Sequence, residues 1–108
     1  RHQHVRFRLF EMFRKVEAAR ALTRRVMEYN ATAVRPSMLA STSAKVTATQ
    51  TAFEVASDAL QMFGGNGMTR EYPMEKLFRD ARAMLIADGA NEVLAMKGGS
   101  DLINPAWL

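Results

Sequence analysis

Residues 59–82 read Ala-Leu-Gln-Met-Phe-Gly-Gly-Asn-Gly-Met-Thr-Arg-Glu-Tyr-Pro-Met-Glu-Lys-Leu-Phe-Arg-Asp-Ala-Arg. They hold a helix end, a glycine turn and a helix start, in that order. Ala59, Leu60 and Phe63 close an apolar stripe that includes Ala52, Phe53 and Ala56, the spacing of one helix face. Gly64-Gly65 stops that helix, because glycine takes the left-handed cap without a Cβ clash. Pro73, with a φ suited to a first helical turn, begins the next one. Met74, Leu77, Phe78, Ala81, Met84 and Leu85 carry the helical spacing onward until Asp88-Gly89 breaks it.

Working outward, the second helix is predicted over 38–63. Its first half is rich in Ser, Thr and Ala, which suits close helix packing. A first amphipathic helix is predicted from Val5 to about Tyr29, with Leu9, Met12, Phe13, Val16, Ala19, Leu22, Val26 and Met27 on one face. Glu11 precedes Lys15 by four residues, the favourable order for a helical ion pair. Asn30 to Ser37 reads as the connection, with Asn30 ending the helix and Pro36 disfavouring helical geometry at Arg35. Two long helices joined this way pack antiparallel. A last short helix covers Asn91 to Lys97, Gly98-Gly99 stops it, and residues 98–108, with Pro105 and Trp107, read as an irregular tail. No period-two strand pattern occurs. The expected fold is all-α, an up-down helical bundle of three to four helices.

The 108 residues correspond to about one domain, too short for an enzyme with separate cofactor and substrate domains. A 48% hydrophobic and 24% charged composition is that of a globular chain. The absence of cysteine excludes disulfides, thiolate zinc sites and thiol nucleophiles. The chain begins with Arg1, as a processed product or a fragment does. The formal charge of +4 is uneven: residues 1–35 carry nine basic and three acidic groups, residues 36–108 six and eight. Such a run is ordinarily a solvated helix face. It lacks aromatics placed to stack bases, and no apolar run approaches a membrane span, so neither a nucleic acid nor a membrane is an expected partner.

Few residues suggest chemistry on their own. His2 and His4 are two apart, which does not place both on one helix face, and no metal-ligand motif is present. Gly64-Gly65-Asn66-Gly67 is a helix stop and turn, or a place where backbone amides approach a phosphate. It is not a dinucleotide fingerprint, since no strand precedes it. Asp88 follows the apolar Met84-Leu85-Ile86-Ala87. A carboxylate packed among apolar groups can serve as a general base; the plainer reading is a polar group at an exposed helix end.

The run from Ala59 to Met68, then Glu71 to Arg82, strongly resembles the acyl-CoA dehydrogenase family. So do Asp88-Gly89-Ala90-Asn91-Glu92-Val93, His2-Gln3, and Glu11-Met12 with Lys15 to Arg20. The resemblance spans residues 2 to 97, and it implies the C-terminal helical domain of such an enzyme over 1–97. In that family FAD lies between a middle β domain and the C-terminal helices and reaches a neighbouring subunit. A carboxylate removes the α-proton of an acyl-CoA while the β-hydrogen leaves as hydride to the flavin, giving the 2,3-enoyl-CoA. Electrons pass to an electron-transferring flavoprotein, and the enzymes are homo-oligomers, tetramers or dimers. By position, the resemblance implies that Gln61, Met62, Phe63, Gly64 and Gly65 contact the ADP part of FAD from the adjoining subunit. It places Gln3, Ala90, Asn91 and Glu92 near FAD, and implies Asp88 as catalytic base, with Gly89 beside the acyl thioester. Arg79 and Asp80 look structural, as an ion pair or helix-terminus network. A bacterial cytoplasm or a mitochondrial matrix fits.

Three positions depart from the family pattern. Asp88 stands where Glu is usual, shortening the carboxylate by one methylene. Ala90 replaces the usual Thr, which removes a hydroxyl that could cap the last helix. Ala87 stands where many relatives carry an aromatic residue, which leaves room for a bulkier acyl group. The resemblance therefore implies an FAD-dependent dehydrogenase domain that is inactive in isolation. The alternative is a non-catalytic helical assembly subunit of a related complex.

Overall fold

The computed structural model describes residues 2–104. They form α1 (Gln3–Thr32), α2 (Met38–Phe63), a 3₁₀ turn over Gly64–Met68, α3 (Met74–Met84) and α4 (Asn91–Ile103). No strand occurs among the described residues. The all-α expectation holds, and both ends of α2 lie where the sequence places them.

α1 and α2 are antiparallel. Arg8 Nη1 meets Asp58 Oδ1 at 2.9 Å near one end, and Asn30 Nδ2 donates to Ser41 Oγ at 2.8 Å near the other. Asn30 does not end α1. Its Oδ1 accepts from the Ser37 amide at 2.9 Å, so one side chain ties both sides of the connection while the helix continues to Thr32. Ser37 caps α2, its hydroxyl accepting from the Ala40 amide at 3.1 Å, which satisfies an amide the first turn leaves without a partner.

The expected Glu11–Lys15 pair does not form. Glu11 bonds Arg14 instead, at 2.8 Å from Nε, and that guanidinium holds its carboxyl below the ordinary carboxylate range. Lys15 reaches across to Glu54 at 3.5 Å. Arg79 and Asp80 do not pair with each other either. Each takes a partner one turn back, Glu75 at 2.8 Å and Lys76 at 3.0 Å.

α1, α3 and α4 each pack on α2, which is the spine of the structure. Phe78 meets Phe53 with ring centroids 5.5 Å apart, and the Arg82 guanidinium lies 5.9 Å from the Phe53 ring centre. Asn91 meets Thr49, and Gly98 lies against Leu39 and Thr42. α3 and α4 therefore both run antiparallel to α2, in the same direction, one behind the other. They do not alternate. They form a third layer interrupted at 85–90, alongside the middle of α2.

The irregular stretch expected from residue 98 is helical as far as Ile103. Gly98, which reads as a stop, lies inside the helix and is buried against α2. Pro105 and Trp107 lie outside the described residues.

Among the described residues the buried apolar side chains are few: Ala19, Val26, Ala44 and Met74. On α1 the covered positions include Met12, Val16, Ala19, Leu22 and Val26, spaced as a helix seam. Leu9, Phe13 and Met27, expected on the same face, are exposed, as are Phe7 and Phe10. α1 carries more apolar side chains than α2, the one helix it packs on among the described residues, can cover. The radius of gyration is 16.8 Å, against about 13 Å for a compact domain of this size.

Candidate functional site

The break between α3 and α4 has an unusual backbone. Asp88 has φ 55° and Gly89 φ 96°, two consecutive residues in the left-handed region. Glycine enters it freely, whereas an aspartate there is strained by about 1–3 kcal/mol. The break is stitched at both ends. Ala87 N donates to Ala83 O at 3.0 Å, and Asn91 N donates to Leu85 O at 2.9 Å. Asp88 is exposed, not set among apolar side chains, and its carboxylate has no hydrogen-bond or ion-pair partner among the described residues. A cleft of about 320 Å³ opens next to the break, lined by Gln50, Arg82, Leu85, Asn91 and Glu92 among others. Ala90 occupies the N-cap of α4 and supplies no side-chain cap, as the missing hydroxyl predicts.

A lysine holds this break to α2. Lys45 Nζ donates to Gly89 O at 2.9 Å and to Asn91 Oδ1 at 2.7 Å. Asn91 Nδ2 in turn donates to Thr49 Oγ1 at 2.9 Å, and that hydroxyl donates to Lys45 O at 2.8 Å. Lys45 and Thr49 are one turn apart on α2, so both face α4.

The second group of candidate residues sits at the far end of α2. Gln61, Met62, Phe63, Gly64 and Gly65 are exposed there, followed by the 3₁₀ turn. Gly64 has φ 62°, and a Cβ built at Gly64 or Gly65 would meet nothing within 4 Å. Their backbone is open from outside. Gly67 is the opposite case: a Cβ there would lie 2.8 Å from Leu60 O and 3.1 Å from Phe63 Cβ. Gln3 begins α1, and the antiparallel pairing through Arg8–Asp58 puts it at this same end. From Thr49 to this end is about 20 Å along the helix axis. The structure thus brings Asp88, Gly89, Ala90, Asn91 and Glu92 together, and Gln3 with Gln61 to Gly65, but keeps the two groups apart within one chain.

Residues 1–102 match the family described as Acyl-CoA dehydrogenase, C-terminal domain. The chain belongs to the acyl-CoA dehydrogenase family. It is 36% identical over 101 residues to cyclohex-1-ene-1-carbonyl-CoA dehydrogenase of Geobacter metallireducens, covering 94% of this chain and 27% of that protein. It is 40% identical over 96 residues to the probable acyl-CoA dehydrogenase FadE25 of Mycobacterium tuberculosis, covering 84% and 23%. A solved structure, described as the electron transferring flavoprotein of Acidaminococcus fermentans with a bearing on flavin-based electron bifurcation, superposes with TM-score 0.89 at 34% identity. It matches 96% of this chain and 27% of that one. The chain spans about a quarter of the length of the curated relatives it matches.

In this acyl-CoA dehydrogenase domain the residues of the candidate site are unequally visible in the sequence. The glycine end and the Asp88-Gly89 break are sequence motifs. Lys45 and Thr49 are not, although one signal was available: Lys45 is the single basic residue of α2, in a stretch of Ser, Thr and Ala. No cluster of His, Asp and Glu suited to a metal ion is found among the described residues, and no described helix is long and apolar enough to cross a membrane.

Proposed function

We propose that this domain is the C-terminal part of an FAD-dependent dehydrogenase that converts an acyl-CoA to its 2,3-enoyl-CoA, with Asp88 as the base. The observation that carries this reading is the backbone at Asp88. A non-glycine residue in a left-handed conformation, with an unpaired exposed carboxylate, is a strained arrangement that persists where the surroundings impose it. The carboxylate takes the α-proton, and Gly89 beside it leaves room for the thioester. FAD, when bound, supplies the acceptor for the β-hydride. Gly64 and Gly65 suit contact with its phosphates, because nothing stands where their Cβ atoms would be. Gln3 lies at the same end.

With the two residue groups about 20 Å apart, one copy does not close a site by itself. A neighbouring copy bringing Gln61 to Gly65 onto another copy's flavin fits that separation. The exposed Phe7, Phe10 and Phe13, at 63%, 61% and 62%, are the kind of surface that other domains or copies cover. An electron-transferring flavoprotein is the fitting electron acceptor. A second reading, a non-catalytic assembly subunit, is favoured by the short Asp88 side chain and the uncapped α4 start at Ala90.

One experiment decides between them. Acyl-CoA added anaerobically to the full-length flavoprotein should bleach the flavin. Asp88→Asn should slow that bleaching at least about 100-fold with flavin content unchanged. Full-rate bleaching in Asp88→Asn would remove Asp88 as the base. A wild-type protein that no acyl-CoA bleaches would favour the assembly subunit.

A further inference from the structure

Lys45 makes an uncommon use of a charged side chain. It is half-buried, has no ion-pair partner among the described residues, and directs its ammonium at two neutral oxygens, Gly89 O and Asn91 Oδ1. Removing an ammonium from water without a counter-charge is unfavourable. Charge-assisted hydrogen bonds to well-placed oxygens offset that cost only when the geometry is kept. Both oxygens belong to the segment that carries the left-handed Asp88.

The connectivity shows what is fixed. Asn91 N closes the break onto Leu85 O, and the Asn91 side chain bridges Lys45 and Thr49. The Gly89 carbonyl is then held from α2 at 2.9 Å. With Gly89 O and Asn91 both anchored, the peptide linking Gly89 to Ala90 has little freedom to flip, which fixes the C-terminal side of the segment that holds Asp88, although Gly89 itself would permit other conformations. The rest of the break makes no other side-chain hydrogen bond or ion pair to α2 among the described residues. Releasing Lys45 would let Asp88 leave its left-handed conformation.

We propose that Lys45 is a positioning residue: through Gly89 O and Asn91 it holds the Asp88 backbone so that the carboxylate stands where the α-proton is taken. This rests on the reading of Asp88 as the base. Thr49 supports it one step removed, by orienting Asn91.

The test uses the full-length flavoprotein with Lys45→Met, which keeps the length of the stem and removes the donors, and Lys45→Arg, which restores them. Hydrogen–deuterium exchange reports the amides of residues 86–91, and anaerobic flavin reduction reports the limiting rate and the half-saturating acyl-CoA concentration. In Lys45→Met, exchange over 86–91 should rise about tenfold. The limiting reduction rate should fall on the order of 100-fold, the scale of a misplacement of about 1 Å, while half-saturation moves less than about twofold. Lys45→Arg should recover most of both. Unchanged exchange and unchanged rate in Lys45→Met would overturn the proposal. So would a rate lost only in proportion to lost flavin or folded protein, or a raised half-saturation with the limiting rate intact. Asp88→Asn, run in parallel, separates the two ideas. Full turnover there removes the base and with it the positioning role, whereas faster exchange in Lys45→Met would still show the clamp on the backbone.

Discussion

Gly98 of α4 lies so near Leu39 of α2 that a Cβ added to it would stand 3.6 Å from Leu39 Cδ1. That is ordinary van der Waals contact, so an alanine fits without displacing anything. At Gly99 an added Cβ meets nothing within 4 Å. Both residues lie inside a helix, where glycine is less favourable than alanine by about 0.5–1 kcal/mol. Gly98→Ala and Gly99→Ala should therefore each raise Tm, and the double variant should gain nearly the sum. A fall in Tm for Gly99→Ala would mean that α4 does not continue past Lys97.

Asn30 and Ser37 close the α1–α2 connection as one unit. Asn30 both donates to Ser41 and accepts from the Ser37 amide, and Ser37 caps α2. Asn30→Ala should cost about 1–2 kcal/mol from two lost hydrogen bonds, and Ser37→Ala about 1 kcal/mol from the lost cap. Because the two residues touch, the double variant should cost less than the sum. Chemical denaturation of the four proteins tests the coupling; strict additivity would show that the two residues act independently.

The ends of α2 and the antiparallel pairing of α1 were legible because Ser37, Gly64-Gly65 and the long apolar stripes are local signals. The parallel run of α3 and α4 was not, since sequence spacing does not say which stretch of α2 each helix covers. Gly98-Gly99 misled because a glycine pair reads as a stop, whereas here both residues lie inside α4, which continues to Ile103. Leu9, Phe13 and Met27 misled because spacing marks an apolar face without saying whether a partner covers it. The break between α3 and α4 was half legible: Asp88-Gly89 stands out, but Lys45 bonds residues 44 and 46 positions away in the chain. No local pattern reports such a tie.

Two neighbouring glycines should separate a packing role from a surface role. A Cβ at Gly67 would collide with the Leu60 carbonyl at 2.8 Å, and backbone yields less readily than a side chain. Gly67→Ala should destabilise by about 1–3 kcal/mol, the range of overpacked sites. Gly65→Ala should leave the melting temperature nearly unchanged. If Gly65 faces the cofactor as proposed, that variant should still release flavin at lower dilution than wild type. Equal flavin retention in Gly65→Ala and wild type would remove Gly65 from the cofactor surface.

Asp88 allows stability and activity to be moved in opposite directions. Its φ of 55° is costly for any residue with a Cβ and free for glycine. Asp88→Gly should therefore stabilise the fold by an amount on the order of 1 kcal/mol, less the extra backbone entropy glycine carries in the unfolded chain. Asp88→Ala keeps the strain, lacks the short polar side chain that eases left-handed geometry, and should destabilise. Both variants lose the carboxylate, so both should reduce flavin no faster than Asp88→Asn. A pair of thermal melts and a pair of anaerobic reductions suffice. Were Asp88→Gly less stable than Asp88→Ala, the left-handed backbone at this position would be wrong, and the proposal of Asp88 as the base would lose the strain it is argued from.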